Sequence, residues 1–144
     1  MTGEADDRPD LAAMLVRLGR RMVAVEQPIL TSHDISMWGY AVLTALRDEP
    51  MRTQSALARS IGADKTRLIA VLDELQQRDL IEREPDPADR RVHLLRLTPA
   101  GRTLHSEAQS AIRSAEATVL DQLPPPDRDT FLRALQALAA GTTR

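Results

Sequence analysis

A chain of 144 residues is long enough for one domain with its own core, or for two small units sharing one. Hydrophobic content of 42 % and charged content of 28 % are ordinary for a globular protein, whereas aromatics at 2 % leave Leu, Ala, Val and Ile to fill the core, favouring packed helices over a β-sandwich. The absence of cysteine excludes disulfides, thiolate nucleophiles and cysteine zinc sites, and a net charge of −2 excludes a uniformly basic surface while leaving room for local basic patches.

No apolar run approaches the ~18 residues needed to span a bilayer. Met1 to Asp10 is acidic, with no signal-peptide core, so a cytoplasmic location is expected. From Leu11 to about Val25 apolar residues fall at helical spacing (Leu11, Met14, Leu15, Leu18, Met22, Val25), and Pro28 is expected to end or interrupt that helix. Thr31 to Asp34 is a polar break offering N-caps to a second helix, Met37 to Leu46, which closes before Pro50. Thr53 can cap a short third helix, Gln54 to Ser60, with Leu57 and Ile61 inward and Gly62 turning the chain. Asp64 can cap a fourth helix, Lys65 to Arg78, whose inward stripe is Leu68, Val71, Leu72 and Leu75. A short helix, a turn and a second amphipathic helix make a helix-turn-helix candidate.

Two strands follow, Leu80 to Glu84 and Arg91 to Leu97, around a proline-marked tip that carries Asp89, Arg90 and Arg91. A hairpin tip with adjacent arginines and little to bury suits a phosphate backbone or a DNA groove. Thr98 and Pro99 then open a long helix, expected to reach roughly 30 Å or more. Pro124 to Pro126 stops it, and Asp127 is expected to cap a last helix bearing Phe131, Leu132, Leu135 and Leu138. The fold class is therefore mainly α with a small β-hairpin.

The run Thr53 to Ala58, the segment Asp64 to Arg83, and the wing run Asp86 to Gly101 with its Asp-Pro-x-Asp-Arg-Arg and Leu-Thr-Pro-Ala-Gly patterns resemble the MarR family of multiple-antibiotic-resistance regulators. The resemblance covers roughly residues 11 to 140. It implies a winged helix-turn-helix with N- and C-terminal dimerisation helices. Residues 1–32 and 98–144 would dimerise, and residues 33–97 would bind DNA. It implies a homodimeric DNA-binding regulator on a near-palindromic operator, a repressor released by a small aromatic or phenolic effector, with no enzymatic activity. Two recognition helices about one DNA turn apart, ~34 Å, would enter successive major grooves.

Carried over by position, Lys65, Thr66 and Arg67 open the recognition helix and can donate to bases or phosphates. Thr53, Gln54 and Ser55 open the helix before it, where free N–H groups favour a phosphate. Arg91 matches the wing arginine that enters the minor groove, Arg90 matches a backbone contact, and Asp89 would orient Arg91. The family often has Thr then Arg where this chain has Ile69 and Ala70. Ile69 can meet a thymine methyl or pack in the core, and the core is the expected place. Asp79 replaces a usual Gly, and Asp tolerates the left-handed conformation better than most residues. Trp38, Tyr40, His33 and Arg20 are candidate effector-lining residues. Their alternative is structural: two core rings and a loop histidine.

The alternatives to DNA binding are a small helical ligand-binding protein or enzyme, and a dimeric interaction module with incidental arginines. No Ser-His-Asp set, Gly-rich phosphate loop or paired carboxylate site stands in the sequence. His105 has no second histidine one helical turn on, so neither a metal nor a cofactor is expected.

Overall fold

A computed structural model describes residues 7–49 and 52–141. The elements run α1 (Leu11–Ser32), α2 (Met37–Asp48), β1 (Arg52–Thr53), α3 (Gln54–Ile61), α4 (Lys65–Gln77), β2 (Ile81–Pro85), β3 (His93–Leu97), α5 (Pro99–Leu120) and α6 (Pro125–Ala139). The chain divides into two compact units, one of Gln27–Ala111 and one of the chain up to Glu26 with the chain from Ile112 onward. Among the described residues no helix is long and apolar enough to cross a membrane.

In the Gln27–Ala111 unit, three helices end in the same kind of left-handed residue. Asp34 (φ 54°) follows α1, Gly62 (φ 69°) follows α3 and Asp79 (φ 55°) follows α4. Each lets the next N–H reach back to a carbonyl that would otherwise be orphaned: Ile35 to Leu30 at 3.0 Å, Ala63 to Ala58 at 3.1 Å and Leu80 to Leu75 at 3.0 Å. At Asp34 and Asp79 an aspartate holds a conformation that glycine adopts without steric cost.

Pro28 neither ends nor breaks α1, contrary to expectation; it lies inside the helix. Proline deletes one helical hydrogen bond. The turn beyond it is held instead by Leu30, which is fully buried, and by the bonds that close the helix at Asp34. The cap of α2 is accordingly Ser36, whose hydroxyl accepts from the Gly39 N–H at 3.0 Å, and not a residue of Thr31 to Asp34.

The core of this unit is aliphatic. Val42, Leu43 and Leu46 of α2 are buried with Leu57 of α3, Leu68, Leu72 and Leu75 of α4, and Ile81, Leu95 and Leu97 of the strands. The hairpin forms with Ile81 opposite Leu97, Arg83 opposite Leu95 and Pro85 opposite His93. A third strand went unread in the sequence because it is two residues long: β1 pairs antiparallel with β3, giving the order β1-β3-β2. Arg91 and Val92 were expected in the second strand and lie in the tip, because β3 begins at His93.

His105 is buried in the same unit. Its ring stacks on Tyr40 with centroids 5.1 Å apart and planes 11° apart. Its Nε2 lies 2.9 Å from the Thr44 hydroxyl, which donates to the Tyr40 carbonyl at 2.9 Å. The cluster joins α2 to the first half of α5.

The other unit is built differently. No residue of α6 is buried, and Leu138 is 73 % exposed. On α1, Leu11, Leu15, Val16 and Val23 are also exposed. Asp127 does not cap α6 as expected: the helix begins at Pro125 after Pro124, without a side-chain cap, and Asp127 sits in its first turn. There its charge still favours the helix dipole. Arg128 pairs with Asp121 across the bend.

Glu26 of this unit carries a carboxyl raised above its ordinary 4.5, first by burial and then by the charge of Glu116. A carboxyl raised in the folded state holds its proton more tightly there than in the unfolded chain. Its ionisation therefore costs stability, a cost absent below the unfolded value and growing as pH rises through and above it. Glu26→Gln is expected to raise the melting temperature at neutral pH and to leave it unchanged below about pH 4. An equal gain at both pH values would contradict the electrostatic cause.

Candidate nucleic-acid interface

The site residues stand on local features that the sequence makes legible. Thr53 caps α3, its hydroxyl accepting from the Ala56 N–H at 3.2 Å, so the half-buried Gln54 and the exposed Ser55 form the first turn. Asp64 caps α4 by accepting from the Arg67 N–H at 2.8 Å. That cap fixes the first turn of α4, where Lys65, Thr66 and Arg67 are all exposed. Gln54, Ser55, Lys65, Leu68 and Ile69 line one small cavity of about 120 Å³ between α3 and α4.

The wing tip is a folded turn. Asp86 and Asp89 each accept, through a side-chain oxygen, the backbone N–H two residues on: Ala88 at 2.9 Å and Arg91 at 3.1 Å. Such turns use the short carboxylate as a substitute for a backbone carbonyl. The Asp86 N–H donates to the Val92 carbonyl at 2.8 Å, and the Val92 N–H to the Asp89 carbonyl at 2.9 Å. The Asp89 carboxylate also meets the Arg91 guanidinium at 3.3 Å, while the Arg91 side chain is 92 % exposed. An ion pair this open contributes little stability. It does limit where the guanidinium points. Arg90 is exposed beside it.

Two contacts went unseen in the sequence because they join distant positions. Arg67 lies over the Trp38 ring, 5.8 Å from its centroid, at the distance of a cation–π contact. Arg83 of β2 pairs with Asp73 of α4 at 2.9 Å and ties the hairpin to α4. Trp38 also lines a small gap with Val42, Ile61, Ala63, Leu68 and Val71. The core alternative for Ile69 does not hold: it is 50 % exposed.

The four candidate effector residues are not all in one unit. His33, Trp38 and Tyr40 belong to Gln27–Ala111, and Arg20 belongs to the other. His33 Nδ1 lies 2.9 Å from the Ile29 carbonyl of its own helix end. Trp38 faces Arg67, and Tyr40 faces His105. Among the described residues no group of three or more His, Cys, Asp or Glu could hold a metal ion.

The family model described as the MarR family matches residues 35–93, from before α2 to the start of β3. A protein named for transcriptional regulation of the hcr operon in Thauera aromatica is 27 % identical over 110 residues, which are 76 % of this chain and 66 % of that protein. The chain thus spans just under two thirds of that relative. A helix-turn-helix-type transcriptional repressor of Mycobacterium bovis is 28 % identical over 138 residues, 96 % of this chain and 99 % of its own. Among solved structures, the transcriptional repressor CouR bound to a 23-mer DNA duplex matches with a TM-score of 0.80 at 28 % identity, covering 96 % of this chain and 97 % of that one. CouR of Rhodococcus jostii RHA1 bound to p-coumaroyl-CoA matches at 0.77 and 25 % identity, covering 99 % of each chain.

Proposed function

We propose that the chain is a DNA-binding transcriptional repressor of the MarR family, whose model matches residues 35–93, that it acts as a homodimer on a near-palindromic operator, and that it leaves the operator when a small aromatic or phenolic effector binds. Members of this family are regulators and not enzymes. The observation that carries the DNA reading is one unit that presents both a capped, exposed first turn of α4 and a turned wing tip with a held arginine.

In this proposal Lys65 and Thr66 meet base edges and phosphates, and Arg67 reaches the DNA from its seat on Trp38. Thr53, Gln54 and Ser55 present the α3 N-terminus to a phosphate. Arg91 enters the minor groove, Asp89 orients it, and Arg90 holds the backbone. Residues 33–97 form the DNA-binding region. Residues 1–32 and 98–144 form the dimerisation region, and the apolar residues left in water on α1 and α6 support that assignment. Burying such surface against a second copy is favourable by about 25 cal/mol per Å².

The effector class rests on CouR, whose bound ligand carries a phenolic acyl group. His33, Trp38 and Tyr40 are the aromatic candidates for it in the Gln27–Ala111 unit. An effector that prefers a protein state unsuited to DNA lowers DNA affinity by the same coupling.

The test is nuclease footprinting of the chain on the DNA flanking its own gene, with and without hydroxycinnamic acids and their CoA thioesters. Two protected half-sites about one helical turn apart are expected, lost on adding a ligand that also raises the melting temperature. Protection that no such ligand alters would overturn the effector assignment. Absence of protection would overturn the operator assignment.

A further inference from the structure

The recognition helix carries a large apolar side chain where folding does not require one. Ile69 is 50 % exposed, while the buried stripe of α4 is Leu68, Leu72 and Leu75. At 3.6 residues per turn, Thr66, Ala70 and Asp73 fall on the side opposite that stripe, and Ile69 falls on its flank, about 90° round the helix. Asp73 is engaged by Arg83 at 2.9 Å, and Arg67 lies on Trp38. The outward surface left at the start of α4 is therefore Lys65, Thr66, Ile69 and Ala70, with an apolar centre and a polar rim. Ile69 also shares the cavity of Gln54, Ser55 and Lys65, so this apolar centre is continuous with the proposed phosphate-binding turn of α3.

In the major groove, thymine is set apart by its C5-methyl group. Cytosine lacks that methyl, and uracil lacks it while keeping thymine's hydrogen-bonding groups. We propose that Ile69, with Ala70 widening the patch, reads a thymine methyl in each operator half-site, so that apolar contact here replaces hydrogen-bonded base readout. This rests on the reading of α4 as the recognition helix.

The full chain would first select its site from a random duplex pool. The selected site is then remade with deoxyuridine replacing one thymine at a time, and binding is measured for the wild type and for Ile69→Ala. Removing one methyl contact is expected to weaken the wild type about fourfold at one symmetric position per half-site, and roughly fifteenfold when both half-sites are changed, taking a buried methyl as equivalent to a buried methylene. Ile69→Ala should bind the thymine and uracil sites equally, close to the wild-type affinity for uracil. Because Ile69 is exposed, the variant should melt with the wild type. A wild type indifferent to uracil at every position, or an Ile69→Ala variant as sensitive as the wild type, would overturn the assignment. Failure to enrich any duplex would instead overturn the DNA-binding reading beneath it.

Discussion

Gly101→Ala is expected to lower the stability of the Gln27–Ala111 unit by about 3 kcal/mol, the upper end of what overpacking usually costs. A Cβ at position 101 would stand 2.1 Å from the Leu80 carbonyl oxygen, 3.1 Å from its carbon and 3.4 Å from the Leu80 Cα. All three are backbone atoms, so no rotamer change relieves the clash. The same carbonyl accepts from the Thr98 N–H at 3.2 Å, and the Thr98 hydroxyl bonds both the Asp79 carbonyl and the Gly101 N–H. Moving α5 away would therefore break the joint that seats it on the end of α4. Alanine's better helix propensity, about 1 kcal/mol, is too small to offset this. Gly19→Ala is the contrast within the protomer: its Cβ would meet nothing of its own chain within 4 Å, so no such clash is expected there. Urea unfolding midpoints check both. An unchanged midpoint for Gly101→Ala would contradict the close approach.

Arg91→Ala is expected to weaken DNA binding by about 1–3 kcal/mol, roughly five- to 150-fold, with no change in melting temperature. The side chain is 92 % exposed and its ion pair with Asp89 is open to solvent, so its removal costs the fold little. Asp89→Ala should show a smaller loss, since it frees the guanidinium without deleting it. Titration of the selected operator with each variant checks the order. An Arg91→Ala variant that binds as tightly as the wild type would remove the wing from the interface.

Local chemistry made much of this legible in the chain. Thr53, Asp64 and Thr98 announce helix starts because each short side chain can accept an orphan N–H, and each does so. The stripe of Leu68, Leu72 and Leu75 announces the inner face of α4 by its period. Features that depend on distant partners stayed hidden. Proline rules say that Pro28 breaks a helix, and only the burial of Leu30 two residues later explains why it does not. A two-residue strand such as β1 has no period to read; it exists because β3 offers it an edge. The seating of Arg67 on Trp38 joins α4 to α2, and no spacing rule reports it. In the wing, the second strand begins later than alternation suggests because Asp86 and Asp89 fold the tip onto itself. The position of Ile69 went the other way: its apolar character pointed inward, and it stands 50 % exposed on the flank of α4.

The central claim is that this chain binds DNA through charge presented on α3, α4 and the wing of each of two copies. The most direct test is the affinity of the full chain for its selected operator as salt rises. Lys65 and Arg90 from each protomer would together neutralise about four phosphates, each adding a slope near −0.9, so log affinity against log salt should fall with a slope of about −3.6 or steeper. No binding at low salt, or a slope near zero, would contradict the account.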